Sequence, residues 1–349
     1  MAIKSKDNNI FFENSIRLKV LSKMFVGKRV FLSGGTGFFG KWLQLSFDYM
    51  IRQAEIKAEL VVLSRDPEKF LKNNPAFKEL ADISYVQGDI RDFDFPEGEF
   101  DYVIHAATEA SAKLIIDKPD EMYSVIVDGT KHILEMCAEK EVKKLLYVSS
   151  GAVYGIQPPD LLNIPEDYPC KPVNAYGKGK LEAENMCLAS SVDTVIARCF
   201  AFIGPYLPLN THFAIGNFIN NVLNDQDINI QGDGSPYRSY MYASDLVEWL
   251  LTILLKGKSN EVYNVGSDKA VSIAELAKHV SKFSLSEKQN INIAKEKTDG
   301  TLASRYVPST DKAKKELGLE CKISLKESIQ KTINNCPTDG TRDNSNKKI

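Results

Sequence analysis

No run of apolar residues in this 349-residue sequence approaches the ~18 that a membrane-spanning helix needs, and its polar first residues do not resemble a secretory signal. No two of the six cysteines form a CxxC pair, and the four histidines do not cluster with them, so no metal site is predicted. The 44 basic and 46 acidic residues leave no cationic excess to hold a nucleic-acid backbone. We therefore predict a cytoplasmic protein with reduced thiols and with neither a membrane nor a nucleic-acid partner.

What the sequence does have is an alternation of short apolar runs with helical segments through its first 200 residues. Six runs are strand candidates, at 30–33, 60–63, 83–86, 102–107, 145–148 and 194–199. Helical patterns lie between them, for example over 38–54 and 119–140. This alternation predicts βαβ units and a doubly wound parallel sheet of the α/β class. After Gly204 the rhythm becomes irregular, which predicts a smaller lobe over the carboxyl ends of the strands, where such sheets bind ligands.

Three regularly spaced glycines, Gly34, Gly37 and Gly40, separate the first predicted strand from the first predicted helix. Glycine permits a tight turn and lets the backbone approach a pyrophosphate, and the N–H groups at a helix N-terminus attract its charge. Such a turn can also be purely structural. Its position between a strand and a helix nevertheless indicates a dinucleotide site.

The end of the second predicted strand indicates which dinucleotide. NAD sites usually place an acid there, on the ribose 2′-hydroxyl, whereas this strand leads into Ser64, Arg65 and Asp66. An arginine binds a 2′-phosphate in a fork, so NADP is predicted first and NAD second. In the alternative, Arg65 is solvated and Asp66 starts the next helix. Asp89 and Ile90, after the third strand, are placed to hold the adenine ring, unless they form an ordinary turn.

A tyrosine and a lysine four residues apart, Tyr176 and Lys180, share one face of a predicted helix. The ammonium, together with the positive charge of a nicotinamide, is expected to lower the pKa of the phenol so that it acts as a base near pH 7. A shift of ~3 units corresponds to ~4 kcal/mol. Ser150 follows the fifth predicted strand, so its hydroxyl lies at the carboxyl edge of the sheet. There it can bond a substrate oxygen, unless it only caps a turn.

With these motifs the chain resembles the extended short-chain dehydrogenase/reductase family of NAD(P)-dependent nucleotide-sugar epimerases and dehydratases. The resemblance covers about residues 28–329. Besides the glycine turn and the Ser-Tyr-Lys set, it rests on Gly204-Pro205, Gly232 to Arg238, Asp245, Tyr263 to Gly266 and Ser304 to Tyr306.

The resemblance implies a division of the chain. A Rossmann-type dinucleotide-binding domain is expected over 28–200, with returning segments near 236–266, and a discontinuous α/β lobe for a nucleoside-diphosphate sugar within 201–333. Residues 1–27 are predicted to be a helical extension, and 334–349 a disordered tail. Relatives pair through two helices, which correspond here to 113–140 and 176–190, so a homodimer is expected by analogy.

The resemblance also assigns site residues. Ser150, Tyr176 and Lys180 are expected to be catalytic. Residues expected to hold the cofactor, in addition to Tyr176 and Lys180, are Gly34, Thr36, Gly37, Phe38, Phe39, Gly40, Ser64, Arg65, Asp89, Ile90, Ala106, Ala107 and Thr108. Residues expected to bind the nucleotide sugar are Glu109, Tyr154, His212, Asn217, Arg238 and Arg305. The two arginines suit a pyrophosphate, with surface salt bridges as the alternative.

The motifs leave several net reactions of the family open. Hydride removal from a sugar carbon, usually C4, opens the reactions of this family, and Tyr176 is expected to take the hydroxyl proton. Dehydratases of the family hold Asp-Glu directly after the catalytic hydroxyl residue, and decarboxylases hold Glu at the second position. This chain has Gly151 and Ala152 there, which transfer no protons. Both reactions are therefore disfavoured, unless Glu109 or His212 supplies the acid or base.

Two reactions are favoured over the others. A 4-epimerase removes and returns hydride, whereas a 4-ketoreductase consumes NADPH; the Ser64-Arg65 turn slightly favours the reductase, because reductive biosynthesis commonly uses NADPH. An alternative of another class is a non-catalytic NADP-binding sensor or scaffold. Such proteins usually lose the tyrosine or the lysine, both of which this chain keeps.

Overall fold

The structure, a computed structural model, describes residues 12, 15–108, 117–209, 213–284, 289–297 and 302–336. Its strands are β1 (Lys28–Ser33), β2 (Ala58–Ser64), β3 (Ile83–Gln87), β4 (Tyr102–His105), β5 (Lys144–Ser150), β6 (Thr194–Cys199), β7 (Phe202–Ile203), β8 (Ile228–Ile230), β9 (Tyr237–Arg238), β10 (Met241–Tyr242), β11 (Val262–Val265), β12 (Val271–Ser272), β13 (Ile291–Ile293) and β14 (Arg305–Tyr306). Its α-helices are α1 (Ile16–Ser22), α2 (Phe38–Ala54), α3 (Pro67–Asn73), α4 (Pro119–Glu139), α5 (Ala175–Ala189), α6 (Ala214–Leu223), α7 (Ala243–Lys256), α8 (Ile273–Ser281), α9 (Asp311–Leu317) and α10 (Leu325–Asn335). Short 3₁₀ segments lie at Lys23–Phe25, Pro75–Glu79 and Gly151–Tyr154.

Seven strands form one parallel sheet in the order β3-β2-β1-β4-β5-β6-β11, which confirms the predicted doubly wound fold. The chain order reverses between β1 and β4, and sheets of this kind bind ligands in the crevice that opens there. Ser33 at the end of β1 pairs with His105 of β4, and Ser150 at the end of β5 pairs with Cys199 of β6. The glycine turn and Ser150 therefore lie at the same edge of the sheet.

Two features of the sheet are not among the six predicted strands. A seventh strand, β11, lies in the stretch that is expected to return near 236–266, and it pairs with β6. The fourth strand is predicted over 102–107 but ends at His105. The ladder stops there because the N–H of Ala107 donates to the side-chain oxygen of Ser33 rather than to a strand carbonyl.

Alternate residues of the strands pack against helices on opposite faces of the sheet. Val30 and Leu32 of β1 belong to the cluster that includes residues of α2 and α7. Phe31, between them, belongs to the cluster that includes residues of α4 and α5. Burial of an apolar side chain of this size contributes about 1.5–3 kcal/mol. Because both faces are covered, the central strands appear in the sequence as nearly continuous apolar runs.

A short helix, α1, occupies the N-terminal extension and packs against α2 and α7. Its residues Leu18 and Leu21 are buried. Phe12 packs edge-on against Trp42 of α2, and Ser15 caps α1 by accepting the N–H of Leu18 at 3.0 Å. The rest of the predicted extension lies outside the described residues.

Small elements after β6 build the second lobe. Its strands pair as β12-β9-β14, as β8 with β13 and as β7 with β10. Helix α10 starts with a capping box between Ser324 and Glu327 and continues to Asn335. The tail boundary predicted at 334 is therefore two residues early, and 337–349 lie outside the described residues. In the part of the chain that the structure describes, no helix is long and apolar enough to cross a membrane.

Candidate active site

The glycine turn between β1 and α2 is packed so closely that side chains do not fit. Gly34 has φ +75°, and a Cβ there would lie 2.6 Å from the backbone of Ala106 at the end of β4. A Cβ on Gly40 would lie 2.2 Å from Cα of Gly35. Gly37 differs, because its nearest neighbour would be a carbonyl oxygen 3.5 Å away. Gly34 and Gly40 therefore shape the turn, whereas the protein leaves room at Gly37.

The turn fits the phosphates of a dinucleotide. Gly37 is the N-cap residue of α2 and makes no side-chain cap, so the first N–H groups of the helix are available to an anion. Gly35, which the predicted spacing omits, is also required, because its Cβ would lie 2.2 Å from a methyl group of Val62 in β2. Gln44 of α2 donates to the carbonyl of Gly35 at 2.8 Å and holds the turn from below.

Behind the turn lies a buried histidine that the sequence analysis did not single out. Nδ1 of His105 lies 2.7 Å from the hydroxyl of Ser33, and Nε2 lies 3.0 Å from that of Thr130. Thr130 donates its own hydrogen to the carbonyl of Ile126, so Nε2 carries the imidazole proton. Burial, helped by the charge of Lys180, lowers the pKa of His105 to about 3. His105 is therefore a neutral bridge between β1, β4 and α4, and its position at the end of a buried strand was the available signal.

Ser64 is the last residue of β2, and Arg65 follows it. Asp66, the next residue, belongs to the start of α3. Asp66 is the N-cap residue of α3 and accepts the N–H of Lys69 at 2.9 Å. At the end of β3, Asp89 binds the guanidinium of Arg91 at 2.7 Å, and this hydrogen bond lowers the pKa of the Asp89 carboxyl.

Two more residues predicted to hold the cofactor lie at the ends of their strands. Ile90 is buried and packs against Gly129 of α4, so closely that a Cβ on Gly129 would lie 2.9 Å from the Ile90 side chain. Thr108 follows the end of β4 and bonds its hydroxyl to the carbonyl of Ala107 at 2.6 Å.

Ser150, Tyr176 and Lys180 come together where β5 ends and α5 begins. Ser150 caps the 3₁₀ segment by accepting the N–H of Ala152 at 3.2 Å, and its hydroxyl lies close enough to the phenol of Tyr176 to oppose the effect of burial on the pKa of that phenol. Asn174 caps α5 by accepting the N–H of Gly177 at 2.8 Å, which places Tyr176 in the first turn. Lys180 lies one turn later, and its Nζ donates to the carbonyl of Val148 at 2.8 Å.

Burial controls the ionisation of this set. It raises the pKa of Tyr176 to about 12, although the nearby hydroxyl of Ser150 acts in the opposite direction. It lowers the pKa of Lys180 to about 8. Burial therefore dominates the pKa of Tyr176 in the polypeptide itself. The lowered pKa predicted for Tyr176 requires the charge of a bound nicotinamide as well as that of Lys180, and it stays a prediction. At pH 7 the phenol is neutral and the lysine is charged.

Tyr306 of β14 is a site residue that the sequence analysis quoted but did not assign. Its hydroxyl lies beside Ser150, and burial raises the pKa of Tyr306 more strongly than Ser150 lowers it. A Cβ on Gly151 would lie 2.8 Å from this hydroxyl and 2.7 Å from the ring of Phe200. The position after Ser150 is therefore covered by two aromatic residues and accepts no side chain as the structure stands.

The second lobe brings Arg238 and Arg305 onto one small sheet. Arg238 of β9 pairs with Tyr306 of β14, and Arg305 pairs with Tyr237. Each guanidinium has five N–H donors; among the described residues Arg238 gives one to the carbonyl of Tyr237, and Arg305 gives one to that of Leu162. Burial lowers the pKa of Arg238, so an anion bound there would offset a desolvated charge.

Asn217 of α6 lies at a cavity of about 250 Å³ in the same lobe. The cavity is lined by Ala214, Asn217, Phe218, Asn229, Ile230, Gln231, Gly232, Gly234, Pro236 and Ile273. It thus combines an apolar floor with three carboxamides, a composition that suits a heterocyclic base.

Comparison with known proteins decides the family. A family model described as the NAD dependent epimerase/dehydratase family matches residues 30–266. The chain belongs to this family. The dTDP-D-glucose 4,6-dehydratase of Homo sapiens is 29% identical over 326 residues, which cover 88% of this chain and 89% of that protein. Membership in the NAD-dependent epimerase/dehydratase family confirms the resemblance to extended short-chain dehydrogenase/reductase enzymes.

Solved structures share the fold of this family member. The UDP-glucose 4-epimerase of Thermotoga maritima, solved with UDP-glucose, has a TM-score of 0.73 at 23% identity, covering 88% of this chain and 98% of that one. The dTDP-glucose 4,6-dehydratase of Streptomyces venezuelae, solved with NAD, has a TM-score of 0.74 at 23% identity, covering 88% and 96%.

Not every residue that the family resemblance assigned reaches the site. Tyr154 is 2% exposed, and its hydroxyl donates to Oδ1 of Asn264 at 2.8 Å. The prediction that Tyr154 binds substrate is therefore wrong in this geometry, because the side chain is packed under the guanidinium of Arg198. Glu109 and His212 lie outside the described residues. Among those described, no group of three or more His, Cys, Asp and Glu side chains could hold a metal ion.

Proposed function

We propose that this protein is an NAD(P)-dependent enzyme that transfers hydride at a carbon of a nucleoside-diphosphate sugar, with Tyr176 as acid and base. The observation that carries the proposal is the placement of Tyr176 and Lys180 on one helix against the end of β5, where Lys180 donates to the carbonyl of Val148 and Ser150 lies beside the phenol of Tyr176. The set lies at the same sheet edge as the glycine turn. A proton-transferring group beside a dinucleotide site is the arrangement that alcohol–ketone chemistry requires.

The cofactor would lie along the carboxyl edge of the sheet. The turn at Gly34 to Gly40 would hold the pyrophosphate, and the residues after β4, Ala106 to Thr108, would line the dinucleotide. When bound, a nicotinamide dinucleotide supplies the donor or acceptor of hydride. The charged Lys180 would help to stabilise negative charge on the phenol oxygen as its proton leaves.

The protein's own groups would handle the proton. Tyr176 takes the proton of a sugar hydroxyl during oxidation and returns it to the keto oxygen during reduction. Ser150 holds that oxygen by a hydrogen bond and keeps it within reach of the phenol. Arg238 and Arg305 would bind the diphosphate, and the cavity beside Asn217 would take the base, so that the sugar extends toward Ser150.

For the net reaction we place 4-ketoreduction first and 4-epimerisation second. The ground for this order is Arg65 after β2, which suits the 2′-phosphate of NADPH, the usual reductant of biosynthesis. Gly151 and Ala152 carry no acid or base for eliminating water. A 4,6-dehydratase or a decarboxylase is nevertheless a full alternative, because dehydratases are among the relatives. Either reaction would need an acid and base from another part of the chain.

The test is turnover of UDP- and dTDP-linked hexoses and 4-keto hexoses with each dinucleotide in both redox states. A ketoreductase consumes one reduced cofactor for each sugar reduced. An epimerase gives an isomer without net cofactor change, and a dehydratase gives a product that has lost water. Dinucleotide binding without turnover of any of these sugars would contradict the proposal and favour a sensor or scaffold.

For the cofactor we propose NADP before NAD. Arg65 follows β2, and Asp66, the nearest acid, is engaged as the cap of α3. We expect Arg65→Ala to weaken NADP binding by about 10-fold or more and to change NAD binding little, because one charge-assisted phosphate contact is lost. The measurement is a titration with each dinucleotide. Lys69→Ala, which removes an exposed charge one turn further, is the matched control. An unchanged ratio of the two affinities in Arg65→Ala would refute the preference.

We also propose a homodimer. The helices assigned to the contact by analogy are α4 and α5, which pack against each other along their length. Residues 113–116 of the predicted contact lie outside the described residues. Sedimentation of the purified protein tests this proposal.

A further inference from the structure

A group of buried polar side chains behind the candidate site is not used by the mechanism proposed above. Ser149, Arg198 and Asn264 lie side by side on β5, β6 and β11, so their side chains project from the same face of the sheet. Arg198 is 6% exposed and Asn264 is fully buried. Charged and amide groups at this depth need specific partners.

Glu184 of α5 joins two of these strands. Its Oε1 accepts from the hydroxyl of Ser149 and from Nε of Arg198 at 3.0 Å, and its Oε2 accepts from Nη2 at 2.7 Å. Glu184 lies one turn beyond Lys180, and Ser149 directly precedes Ser150. Glu184 therefore fixes the catalytic helix both to β5, which carries the catalytic serine, and to β6.

Arg198 also holds the loop between β5 and α5. Its Nη1 donates to the carbonyl of Glu166 at 3.1 Å, and its guanidinium lies 4.7 Å from the ring centroid of Tyr154. The hydroxyl of Tyr154 donates to Asn264, which in turn donates to the carbonyl of Ile164 at 3.0 Å. The loop is thus attached to both β6 and β11.

The same loop is hydrogen-bonded to the segment that directly follows β14 of the second lobe. Ile164 donates its N–H to the carbonyl of Val307 at 2.9 Å and accepts the N–H of Ser309 at 2.8 Å. The side chain of Gln157 accepts the N–H of Val307 at 2.8 Å. Val307 directly follows β14. Hydrogen bonds, the cation–π contact of Arg198 and short stretches of backbone therefore join the catalytic helix to the strand of Arg305.

A buried ion pair is a poor means of stabilising a fold, because the desolvation of both charges offsets most of their attraction. It is, however, directional, since the planar guanidinium accepts a carboxylate in a narrow range of orientations. These two properties favour a role in positioning over a role in stability alone.

We propose that the Glu184–Arg198 pair is a positioning element that sets the distance from Ser150 and Tyr176 to β14. A substrate whose diphosphate is held by Arg305 then presents its sugar to Tyr176. The inference rests on the proposed function, because it assumes one substrate whose diphosphate lies at Arg305 and whose sugar lies at Tyr176. A misplacement of about 1 Å between reacting groups can lower a rate by about 10²-fold.

The double variant Glu184→Leu, Arg198→Met tests the proposal, because it removes both charges and roughly keeps the buried volume. Each single variant leaves one buried charge unpaired and is expected to melt well below wild type, whereas the double variant regains most of the difference. We expect the double variant to bind dinucleotide and nucleoside diphosphate like wild type, with kcat lower by about 10-fold or more. A wild-type kcat in the double variant would overturn the proposal.

Amide hydrogen exchange gives a readout that does not depend on activity. In the double variant we expect faster exchange over 157–166 and 304–309 and unchanged exchange in the glycine turn. Wild-type exchange in the two segments would also overturn the proposal. If the wild-type protein turned over no nucleotide sugar, the proposed function would fail instead, and exchange would still decide the positioning role.

Glu184 also raises the pKa of Lys180, so a variant at the other end of the path is needed. Tyr154→Phe keeps the ring beside Arg198 and removes only the hydroxyl that bonds Asn264. We expect faster exchange over 157–166 and a smaller fall in kcat than in the double variant. Unchanged exchange and kcat would contradict the part of the proposal that attaches the loop through Tyr154.

Discussion

Turnover by Tyr176→Phe is expected to fall by about 10³-fold in kcat, because the variant keeps the ring and loses the group that exchanges a proton with the sugar oxygen. General acid–base catalysis by one side chain typically contributes 10² to 10⁴-fold. KM and dinucleotide affinity should change little, since the ring still fills its place in the first turn of α5. Steady-state rates with the best nucleotide sugar and a dinucleotide titration measure both effects.

A matched tyrosine provides the control. Tyr123 lies on the neighbouring helix α4 and bonds Glu182 at an exposed position, so Tyr123→Phe should retain wild-type rates. If Tyr176→Phe retained wild-type kcat, proton exchange would have to occur elsewhere, and Tyr306 would be the next hydroxyl to test.

The second large effect is expected from Gly40→Ala. The added Cβ would lie 2.2 Å from Cα of Gly35 and 2.4 Å from the carbonyl oxygen of Gly34, and both are backbone atoms that cannot turn aside. Overpacking of this kind typically costs about 1–3 kcal/mol. We expect a lower melting temperature and dinucleotide affinity reduced by about 10-fold or more, since relief of the clash moves the turn.

Gly37→Ala distinguishes the effect of a side chain on the packing of the turn from its effect on the approach of the dinucleotide. Its Cβ would meet only a carbonyl oxygen at 3.5 Å, so the melting temperature should match wild type. A fall in dinucleotide affinity in this variant would then report the approach of the ligand itself. Wild-type binding by Gly40→Ala would show that the turn does not hold the cofactor.

The parts of the site that the sequence predicts are those carried by short spacing. Gly34 and Gly40 are six residues apart, and Tyr176 and Lys180 are one helical turn apart, so local geometry alone brings each pair together. The parallel sheet follows in the same way, from apolar runs alternating with helices. The seventh strand, β11, is the exception, because the chain joins it to the sheet only after passing through the second lobe.

The parts that the sequence misses depend on contacts between distant segments. Tyr306 reaches Ser150 from more than 150 residues away, and no local pattern reports that approach. Tyr154 lies in the same motif as Ser150, yet the 3₁₀ turn rotates it beneath Arg198. The raised pKa of Tyr176 in the unliganded protein escapes the sequence for a related reason, because burial is a property of the folded protein and not of the Tyr-Lys spacing.

The covered position beside Ser150 has a consequence for how this scaffold can change. An aspartate introduced at Gly151 would meet the rings of Phe200 and Tyr306 before it met any ligand, so that exchange on its own leads to a misfit rather than to a new reaction. Smaller residues at those two neighbours would have to come first. The order in which substitutions can be introduced at this position is thus constrained by two neighbouring aromatic residues.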